Sequence, residues 1–258
     1  MEILFEDKDL IVCHKPSGIP VQSARIGQKD MVSILNNYLA EKGSSQKIFV
    51  VHRLDQPVEG VIVFAKTKRA ASELSRQIVE GKMKKVYQAV CCVTEKGQKF
   101  LEKKEVYVLE DYLAKNGRTN TSSVVGKHSK EARYAELAFE VLDSKENPVV
   151  GSQIYLLVRI ELKTGRHHQI RVQMSHAGLP LFGDQKYHEN WMNYVLEKQK
   201  EEEDSLAFGS GRIHKKTPSL ALCSASLSFR HPVTGKEMKF ETRPTTEAFL
   251  LFEKQAFV

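Results

Sequence analysis

Short apolar runs alternate with polar turns in the first quarter of the chain, a pattern typical of strands joined by tight connections. Apolar residues 3–5 and 10–13 flank a polar turn at residues 6–9, which predicts a β-hairpin. Asp30 precedes a segment whose apolar residues fall on one side, and Gly43 follows that segment, so we predict a capped helix between them.

The rest of the chain continues with more strands than helices. Strands are connected as hairpins rather than in regular strand–helix alternation, which favours an α+β fold with a mixed, largely antiparallel central sheet flanked by helices and loops. The predicted strands are 49–51, 61–64, 85–93, 133–142, 154–163, 220–229 and 236–241, and the predicted helices begin at Thr67, at Gln169 and after Pro244.

No repeat or low-complexity linker divides the sequence, so one domain spanning 1–258 is the simpler prediction. Residues 189–204 carry six acids against two lysines and have no core stripe, which predicts a surface insertion around 188–217. Motifs with potential chemistry begin within the first twenty residues, so we predict no separate N-terminal module.

The net charge of +7 is concentrated in one stretch. Residues 66–104 contain 11 Lys or Arg and four Glu, a difference of 7 that equals the whole surplus. Concentrated positive charge is typical of a protein that binds a phosphate backbone, although a solvated lysine-rich face is the alternative.

Composition excludes several other classes. No apolar run approaches the roughly 18 residues that a membrane span needs, and the acidic N-terminus is unlike a secretory signal. The four cysteines show neither a C-x-x-C pair nor the spacing of a disulfide scaffold, so we interpret them as buried small hydrophobic residues. We therefore expect a cytoplasmic protein, and nothing in the sequence suggests an obligate dimer, so we expect a monomer.

Three segments carry candidate chemistry. A polar loop, His52 to Asp55, lies between two apolar strands, where sites are often built. A second segment, residues 165–171, combines arginines and histidines with a predicted helix N-terminus and can hold an anion. The third is Lys84-Lys85-Val86-Tyr87, in which Tyr87 would face opposite to Val86 on a strand and could be exposed for base stacking, a half-buried strand tyrosine being the alternative.

A metal site is the alternative for the histidines. His167, His168 and His176 are spaced i, i+1 and i+9, so one helical face cannot present all three, and no cysteine or carboxylate lies at ligand spacing. We therefore predict no metal.

Taken together, the segments resemble the RluA-type pseudouridine synthases of ribosomal and transfer RNA. The match spans nearly the whole chain, and its motifs occur in the family's order. These motifs are Lys15-Pro16-Ser17-Gly18, His52-Arg53-Leu54-Asp55 with Gly60 and Ala65-Lys66, residues 85–90, residues 165–172 with Gly178, Pro180, Gly183-Asp184 and Tyr187, and His231-Pro232 with Gly235.

The resemblance implies an isomerase that breaks the uridine N1–ribose bond and rejoins the ring through C5, without a cofactor. Asp55 matches the family's nucleophile, which adds either to uracil C6 or to the sugar C1′. Arg171 matches the guanidinium that keeps this carboxylate ionised. Tyr87 matches the tyrosine that stacks on the base or takes the C5 proton.

The remaining candidates are assigned to RNA. Arg53 resembles the residue that fills the space of the flipped base. Arg166 competes with Arg171 for the Asp55 contact, and contact with phosphate is its alternative role. We also assign RNA contacts to the following residues: His52, Gln169, Lys84 and Lys85.

Departures from the family pattern lie beside the proposed nucleophile. Val58 and Glu59 replace the usual Thr-Ser, His167 stands where Thr or Ser is commoner, and Cys223 stands where many members have His. None of these departures removes Asp55, Tyr87 or Arg171, so an active synthase stays the prediction. Two alternatives are kept: a catalytically inactive RNA-binding protein with the same fold that uses the basic face of residues 66–104, and a metal-dependent hydrolase built on the histidines.

Overall fold

The computed structural model describes residues 1–23, 25, 27–102, 106–147, 153–188 and 218–252. In chain order the strands are β1 (Glu2–Glu6), β2 (Leu10–Lys15), β3 (Phe49–Val50), β4 (Glu59–Ala65), β5 (Lys84–Cys92), β6 (Val106–Asn116), β7 (Thr121–Val124), β8 (Arg133–Asn147), β9 (Gln153–Leu162), β10 (Leu222–Arg230) and β11 (Glu237–Glu241). The α-helices are α1 (Met31–Glu41), α2 (Lys68–Val79) and α3 (Gln169–His176), and the 3₁₀ helices are Glu95–Phe100 and Glu247–Phe252.

The chain forms two compact units. Unit 1 is Met1–Gln88, Arg159–Thr164 and Leu222–Thr245, and unit 2 is Ala89–Val158, Gly165–Ala221 and Thr246–Val258. The single domain spanning 1–258 stays a prediction. The predicted insertion around 188–217 falls, except for His188 at its edge, outside the described residues.

Unit 1 is built on the sheet order β1-β2-β4-β10, with β3 on β4 and β11 on β10. The β4–β10 pair is parallel and the other pairs of this group are antiparallel, so the prediction of a mixed, largely antiparallel sheet is confirmed. Helix α2 packs Ala70 and Leu74 against Val61 and Val63 of β4, because its apolar residues recur at helical spacing. The Asp30 side chain accepts the Ser33 N–H and caps α1, as predicted.

In unit 2, β6 pairs with β8 and β7, both antiparallel. Helix α3 packs Val172 against Leu113 of β6 and Ala135 of β8. The Gln173 side chain, which is fully buried, donates to the carbonyls of Leu109 and Ala135. Both apolar and polar contacts therefore fix α3 on these strands.

The structure differs from the predicted elements in two places. The segment after Pro244 is a 3₁₀ helix, Glu247–Phe252, rather than an α-helix. Strands β6 and β7 were not predicted at all. All four cysteines are buried free thiols, as predicted. Within the described ranges no helix combines the length and the apolar character that crossing a bilayer requires.

Candidate functional site

The loop that carries Asp55 is tied to the turn that follows β2. The Gly18 N–H donates to the Gln56 carbonyl at 2.9 Å, and the Gln56 side-chain amide donates back to the Gly18 carbonyl at 2.9 Å. The Ser17 hydroxyl donates to the Pro57 carbonyl at 2.8 Å. These reciprocal bonds satisfy backbone groups on both sides, so the two loops form one ordered structure.

Lys15 lies at the centre of this structure. Its side chain is fully buried, and its ammonium donates to the carbonyls of Pro16 (2.9 Å), Ile19 (2.7 Å) and Gln56 (3.1 Å). Burial lowers the pKa of Lys15 to about 8, although the nearby negative charge of Asp55 opposes that shift. The ammonium therefore stays mostly charged at neutral pH and acts electrostatically on Asp55. Lys15 entered the sequence analysis only as part of a loop motif; the signal for its burial was its place at the end of a strand that begins with four apolar residues.

Tyr87 on β5 also interacts electrostatically with Asp55. Its hydroxyl is hydrogen-bonded to the side chain of Ser224, which itself donates to the Val61 carbonyl at 3.0 Å. Burial, and then the charge of Asp55, raise the pKa of Tyr87, so the phenol stays protonated at neutral pH.

Tyr87 is more buried than either of the two alternatives that the sequence allowed, an exposed or a half-buried tyrosine. Its side chain is 6% exposed. From Val90 to Cys92 every residue of β5 is buried, so this strand has no clean solvent face. Alternation along the strand puts Tyr87 and Val86 on opposite faces of the sheet, but the face that carries Tyr87 is also covered, so alternation does not predict exposure.

Gly60 sets the distance between β4 and β10 in this region. It pairs with Ser224 and has a φ of +118°. A Cβ at this position would lie 2.4 Å from the Ser224 carbonyl oxygen and 2.6 Å from the Ser224 nitrogen. Only glycine fits, and this close approach fixes the residue that holds the Tyr87 hydroxyl.

Glu59, a departure from the family pattern, lies inside a polar cluster. It is fully buried and accepts the Thr245 N–H at 2.9 Å and the Thr245 hydroxyl. The His14 Nε2 lies 3.8 Å from the Glu59 carboxylate, and the His14 Nδ1 is 2.8 Å from the Thr242 hydroxyl. The substituted carboxylate thus joins β4 to the chain that follows β11.

The RNA-contact candidates of unit 1 differ in exposure. Arg53 and Lys84 are exposed, whereas His52 and Lys85 are partly buried. The His52 Nε2 accepts the Val63 N–H at 3.3 Å, and burial, then the charge of Lys85, lower the His52 pKa well below its usual value. Burial also lowers the pKa of Lys85. A neutral His52 completes the hydrogen bonding of β4, which favours a structural role; RNA contact by these four residues stays a prediction.

Arg171 of α3 is held by a buried carboxylate in unit 2. Its Nε and Nη2 donate to the two oxygens of Asp184 at 2.8 and 2.7 Å, and its guanidinium lies 5.1 Å from the ring centre of Tyr187. Asp184 also accepts the backbone N–H groups of Lys186 (2.9 Å) and Tyr187 (3.2 Å). This bidentate contact fixes the direction of the guanidinium. Sequence reasoning quoted Asp184 within a motif and missed it as the residue that holds Arg171.

The residue before α3 adopts a left-handed conformation. His168 has a φ of 53°, and its Nδ1 is 2.7 Å from the Tyr187 hydroxyl. That hydroxyl also accepts the Ser122 N–H at 2.8 Å. Burial, then the charge of Arg171, lower the pKa of His168 to about 3, so the ring is neutral. The ring of His167 stacks on it at 3.8 Å.

Gln169 and Arg166 form hydrogen bonds at the N-terminus of α3. Gln169 is 3% exposed; its Oε1 accepts the Arg166 N–H at 2.9 Å and its Nε2 donates to the Glu136 carbonyl at 3.0 Å. Arg166 is exposed, and its Nε donates to the Tyr134 carbonyl at 2.7 Å. These contacts favour a structural role for Gln169 and leave the charge of Arg166 at the surface. RNA contact by either residue stays a prediction.

Within the described residues, one group of side chains has the spacing of metal ligands: Asp7, Asp9 and His231. The His231 Nδ1 accepts the N–H groups of Val233 (3.2 Å) and Thr234 (3.1 Å). Its Nε2 therefore carries the proton and donates to Asp7 at 2.8 Å. A histidine in this tautomer has no lone pair directed at the carboxylates, so the group fits a hydrogen-bonded turn better than a metal centre.

Comparison with known proteins agrees with this arrangement of motifs. Residues 9–176 match the family described as RNA pseudouridylate synthase. The chain is 28% identical over 242 residues to the tRNA pseudouridine synthase C of Vibrio cholerae, covering 92% of this chain and 88% of the relative. It is 27% identical over 270 residues to the ribosomal large subunit pseudouridine synthase D of Pseudomonas aeruginosa, covering 100% of this chain and 74% of the relative.

Solved structures show the same fold. The structure of human RNA pseudouridylate synthase domain containing 4 matches with a TM-score of 0.68 at 22% identity, covering 96% of this chain and 90% of that one. A second human structure, RNA pseudouridylate synthase domain containing 1, matches with a TM-score of 0.66 at 19% identity, covering 95% and 83%. The matched family spans well over half of the sequence and includes Asp55, Tyr87 and Arg171, and the chain belongs to the RNA pseudouridylate synthases.

Proposed function

We propose that Asp55 is the nucleophile with which this RNA pseudouridine synthase isomerises uridine in transfer or ribosomal RNA. In the reaction the N1–C1′ bond breaks and a C5–C1′ bond forms, while C5 loses a proton and N1 gains one. The ionised carboxylate adds either to uracil C6 or to C1′, and it leaves again at the end. Atoms and electrons balance within the nucleoside, so the proposal invokes neither a cofactor nor a metal.

The observation that carries the proposal is the setting of Asp55 in unit 1. It is partly exposed, on a loop braced by the buried ammonium of Lys15. A nearby positive charge favours the ionised, nucleophilic form of a carboxylate. A loop fixed by reciprocal bonds between Gly18 and Gln56 also limits the motion of that carboxylate, which favours attack in one direction.

Arg171 is proposed as the guanidinium partner of Asp55, in line with the family resemblance. Its buried contact with Asp184 supports this role, because a guanidinium held along its Nε–Nη2 edge keeps a fixed direction. Arg166 is the alternative, and its surface position suits a phosphate contact better.

Tyr87 is proposed to stack on the target base. Its raised pKa supports stacking over proton abstraction, because a protonated phenol is a poor base at neutral pH. The hydroxyl would then donate or accept a hydrogen bond and not carry the C5 proton away.

The uridine must leave its stack to reach the nucleophile, which costs a few kcal/mol in general. Arg53 is proposed to fill the vacated space, and its exposure suits that role. The named relatives act on transfer RNA and on ribosomal RNA, so both remain candidate substrates. Mapping pseudouridine in total RNA from cells with and without the gene would identify the RNA and the position.

The decisive experiment replaces Asp55 by asparagine. Asp55→Asn keeps the shape of the side chain and removes its charge, so we expect an unchanged unfolding midpoint, RNA affinity within about twofold, and loss of product by at least about 10³-fold. RNA from cells that lack the gene would be the substrate, and pseudouridine, which has the same mass as uridine, would be measured by chromatography of the digested nucleosides or by mass spectrometry after carbodiimide derivatisation.

Glu237→Gln is the matched control, since Glu237 is an exposed acid on β11 whose loss removes one negative charge in the same way. That variant should retain wild-type turnover. Product from Asp55→Asn would contradict the nucleophile assignment. RNA binding by the wild type without product on any RNA would support the inactive RNA-binding alternative.

A second experiment separates the two roles of Tyr87. If the ring stacks on the base, Tyr87→Phe should retain activity within about threefold, whereas Tyr87→Ala should lose about 5- to 150-fold, because stacking is worth about 1–3 kcal/mol per base. Single-turnover rates at saturating RNA would measure both. Equal loss in the two variants would contradict stacking and favour a role for the hydroxyl.

A further inference from the structure

A second positively charged segment lies in unit 2, apart from residues 66–104. Between Asp111 and Glu131 the chain contains no acidic residue, whereas it contains two lysines or arginines at the β6–β7 turn and two in the following loop. We name residues 112–130 the basic arm. Its four cations are Lys115, Arg118, Lys127 and Lys130.

The basic arm projects past its neighbouring strand. Strand β8 pairs with β6 only as far as Leu113, which lies opposite Arg133, the first residue of β8. Residues 114–116 pair with β7 instead. The four cations are all exposed, and among the described residues none of them forms an ion pair. Their charge is therefore directed to solvent and is not neutralised within the fold.

The basic arm is nevertheless ordered by specific bonds. The Asn116 side chain accepts the N–H groups of Arg118 (3.0 Å) and Thr119 (3.3 Å) and closes the turn. The Val125 N–H donates to the Tyr112 carbonyl at 2.8 Å, which extends the pairing beyond β7. An ordered turn loses less conformational entropy when it binds a partner.

His167 connects this arm to the segment that carries Arg171. Its Nδ1 lies 2.9 Å from the Ser122 hydroxyl and its Nε2 lies 3.1 Å from the Asn120 side-chain oxygen. Asn120 can only accept at that oxygen, so Nε2 donates to it. Lys186 donates to the Asn120 carbonyl at 2.8 Å, and Tyr187 accepts the Ser122 N–H. The histidine thus ties the turn to residues 165–171 at two points.

We propose that the basic arm is an RNA-docking surface, and that His167 holds it in place so that the same unit binds the RNA backbone and presents Arg171. Four exposed cations without an intervening acid complement a chain of phosphates. The ordered turn suits a contact that reads backbone shape rather than base sequence. This inference rests on the proposed function in one respect, that the substrate is RNA.

The test compares two variants of equal charge. The arm variant changes Lys115, Arg118, Lys127 and Lys130 to Ser, and the control changes four exposed lysines of unit 1 to Ser: Lys8, Lys163, Lys236 and Lys239. Each variant lowers the formal net charge from +7 to +3. Binding of unmodified tRNA transcripts and of an unmodified large-subunit rRNA transcript would be measured by filter binding between 50 and 200 mM salt.

For the arm variant we expect at least tenfold weaker binding at the lowest salt and a log–log salt slope that is smaller in magnitude by about 3, from roughly 0.7–0.9 per lost phosphate contact. At saturating RNA its single-turnover rate should remain within about threefold of wild type. The control should bind within about threefold. If the two variants lose the same amount of RNA affinity, the loss follows from net charge alone, and the proposal is overturned.

His167→Ala tests the connection separately. All four cations remain, so we expect the salt slope to be unchanged while affinity falls about three- to tenfold, and His167→Asn should recover part of this loss through the Asn120 contact. Unchanged affinity in His167→Ala would overturn the role of His167. The arm variant could instead bind RNA as tightly as the wild type and fail to bind poly-glutamate, which the wild type binds. That result would overturn the proposal and indicate that the arm binds an acidic protein.

These outcomes are separable from failure of the proposed function. Were Asp55 not the nucleophile, Asp55→Asn would still turn over RNA, whatever the arm variant does. Were the arm not a docking surface, the arm variant would bind like the control while Asp55→Asn remained inactive. The two proposals can therefore fail independently.

Discussion

The loop around Asp55 and the segment 165–171 both carry charged candidates, and they are held by different parts of the chain. In the Asp55 loop, three backbone carbonyls accept from the ammonium of Lys15, and the side chains of Ser17 and Gln56 donate to carbonyls of the opposite loop. In segment 165–171 and the turn after it, side chains hold one another: Asp184 holds Arg171, and Tyr187 holds His168. In the first arrangement side chains bond mainly to backbone carbonyls, whereas in the second they bond to one another.

The two regions also use left-handed backbone differently. Gly60, with a φ of +118°, is needed because the Ser224 backbone leaves no room for a Cβ. His168, with a φ of 53°, is not a glycine, and its ring is bonded to Tyr187. A conformation that costs of order 1–3 kcal/mol is thus tolerated where a side chain is bonded in place. Substitutions in the two regions should therefore act through different mechanisms.

The largest effect is expected from Asp184→Asn. The amide keeps one acceptor but turns an N–H₂ group toward the Arg171 donors, so a buried guanidinium loses its counter-charge. Breaking a buried pair from one side costs about 3–5 kcal/mol, so we expect a drop of that size in the free energy of unfolding, measured by urea denaturation. Turnover should fall as well, because the direction of Arg171 is lost.

A surface pair of the same geometry provides the control. Glu73 accepts Nε and Nη2 of Arg76 at 2.9 and 2.7 Å, but these side chains are 27% and 53% exposed, against 0% and 5% for Asp184 and Arg171. Glu73→Gln should therefore change stability far less than Asp184→Asn, because solvent replaces the lost bonds. Similar losses in the two variants would show that burial is not what makes the Asp184 contact important.

The next effect, on backbone shape, is expected from Gly60→Ala. The added Cβ meets the Ser224 backbone at 2.4–2.8 Å, so β4 and β10 must separate. Overpacking and the positive φ together should cost about 2–4 kcal/mol, measured by urea denaturation. Tyr87 should lose its bond to Ser224 at the same time, so turnover should fall further than stability alone explains.

Gly18→Ala is the matched control within the same pair of loops. Gly18 has a φ of +86°, yet nothing lies within 4 Å of its added Cβ. Its cost should be limited to the backbone conformation, about 1 kcal/mol. If Gly18→Ala costs as much as Gly60→Ala, steric contact with Ser224 is not the reason for the glycine.

The elements of the fold that could be predicted were those with strong local signals. The β1–β2 hairpin, α1 with its Asp30 cap and α2 after Thr67 follow from apolar spacing and capping residues. Strand β6 was not predicted because its apolar residues do not fall on one buried face: Val106 and Val108 are exposed although both are hydrophobic. With no alternation to detect, only pairing with β7 and β8 identifies it.

The site could be predicted only as far as residue types in motifs allow. Asp55, Tyr87 and Arg171 were found because they stand in matching motifs, and their roles stay predictions. Lys15 and Asp184 were quoted in motifs and assigned no role, because their importance comes from contacts distant in sequence. Lys15 reaches Gln56 across 41 positions and Asp184 reaches Arg171 across 13. Such contacts are created by tertiary packing and leave no local pattern.

The smallest effect is a pH dependence that would show whether Lys15 acts through its charge. With a folded pKa of about 8 against an ordinary 10.5, the folded state binds this proton more weakly than the unfolded state. Stability from this group therefore rises as pH rises from 8 to 10.5, by up to about 1.4 kcal/mol per pH unit. Turnover should change in the opposite direction, because neutral Lys15 no longer favours ionised Asp55.

Measurements from pH 7 to 9 would separate these opposed trends from the titration of other groups. About one tenth of Lys15 stays protonated at pH 9, so kcat/KM should fall up to about tenfold in the wild type if this charge is required. Lys15→Met should start from a lower rate, show no such decline, and lack the matching rise in unfolding free energy. A wild-type decline that persists in Lys15→Met would arise from another group, and the Asp55 loop would then depend on the three carbonyl bonds of Lys15 rather than on its charge.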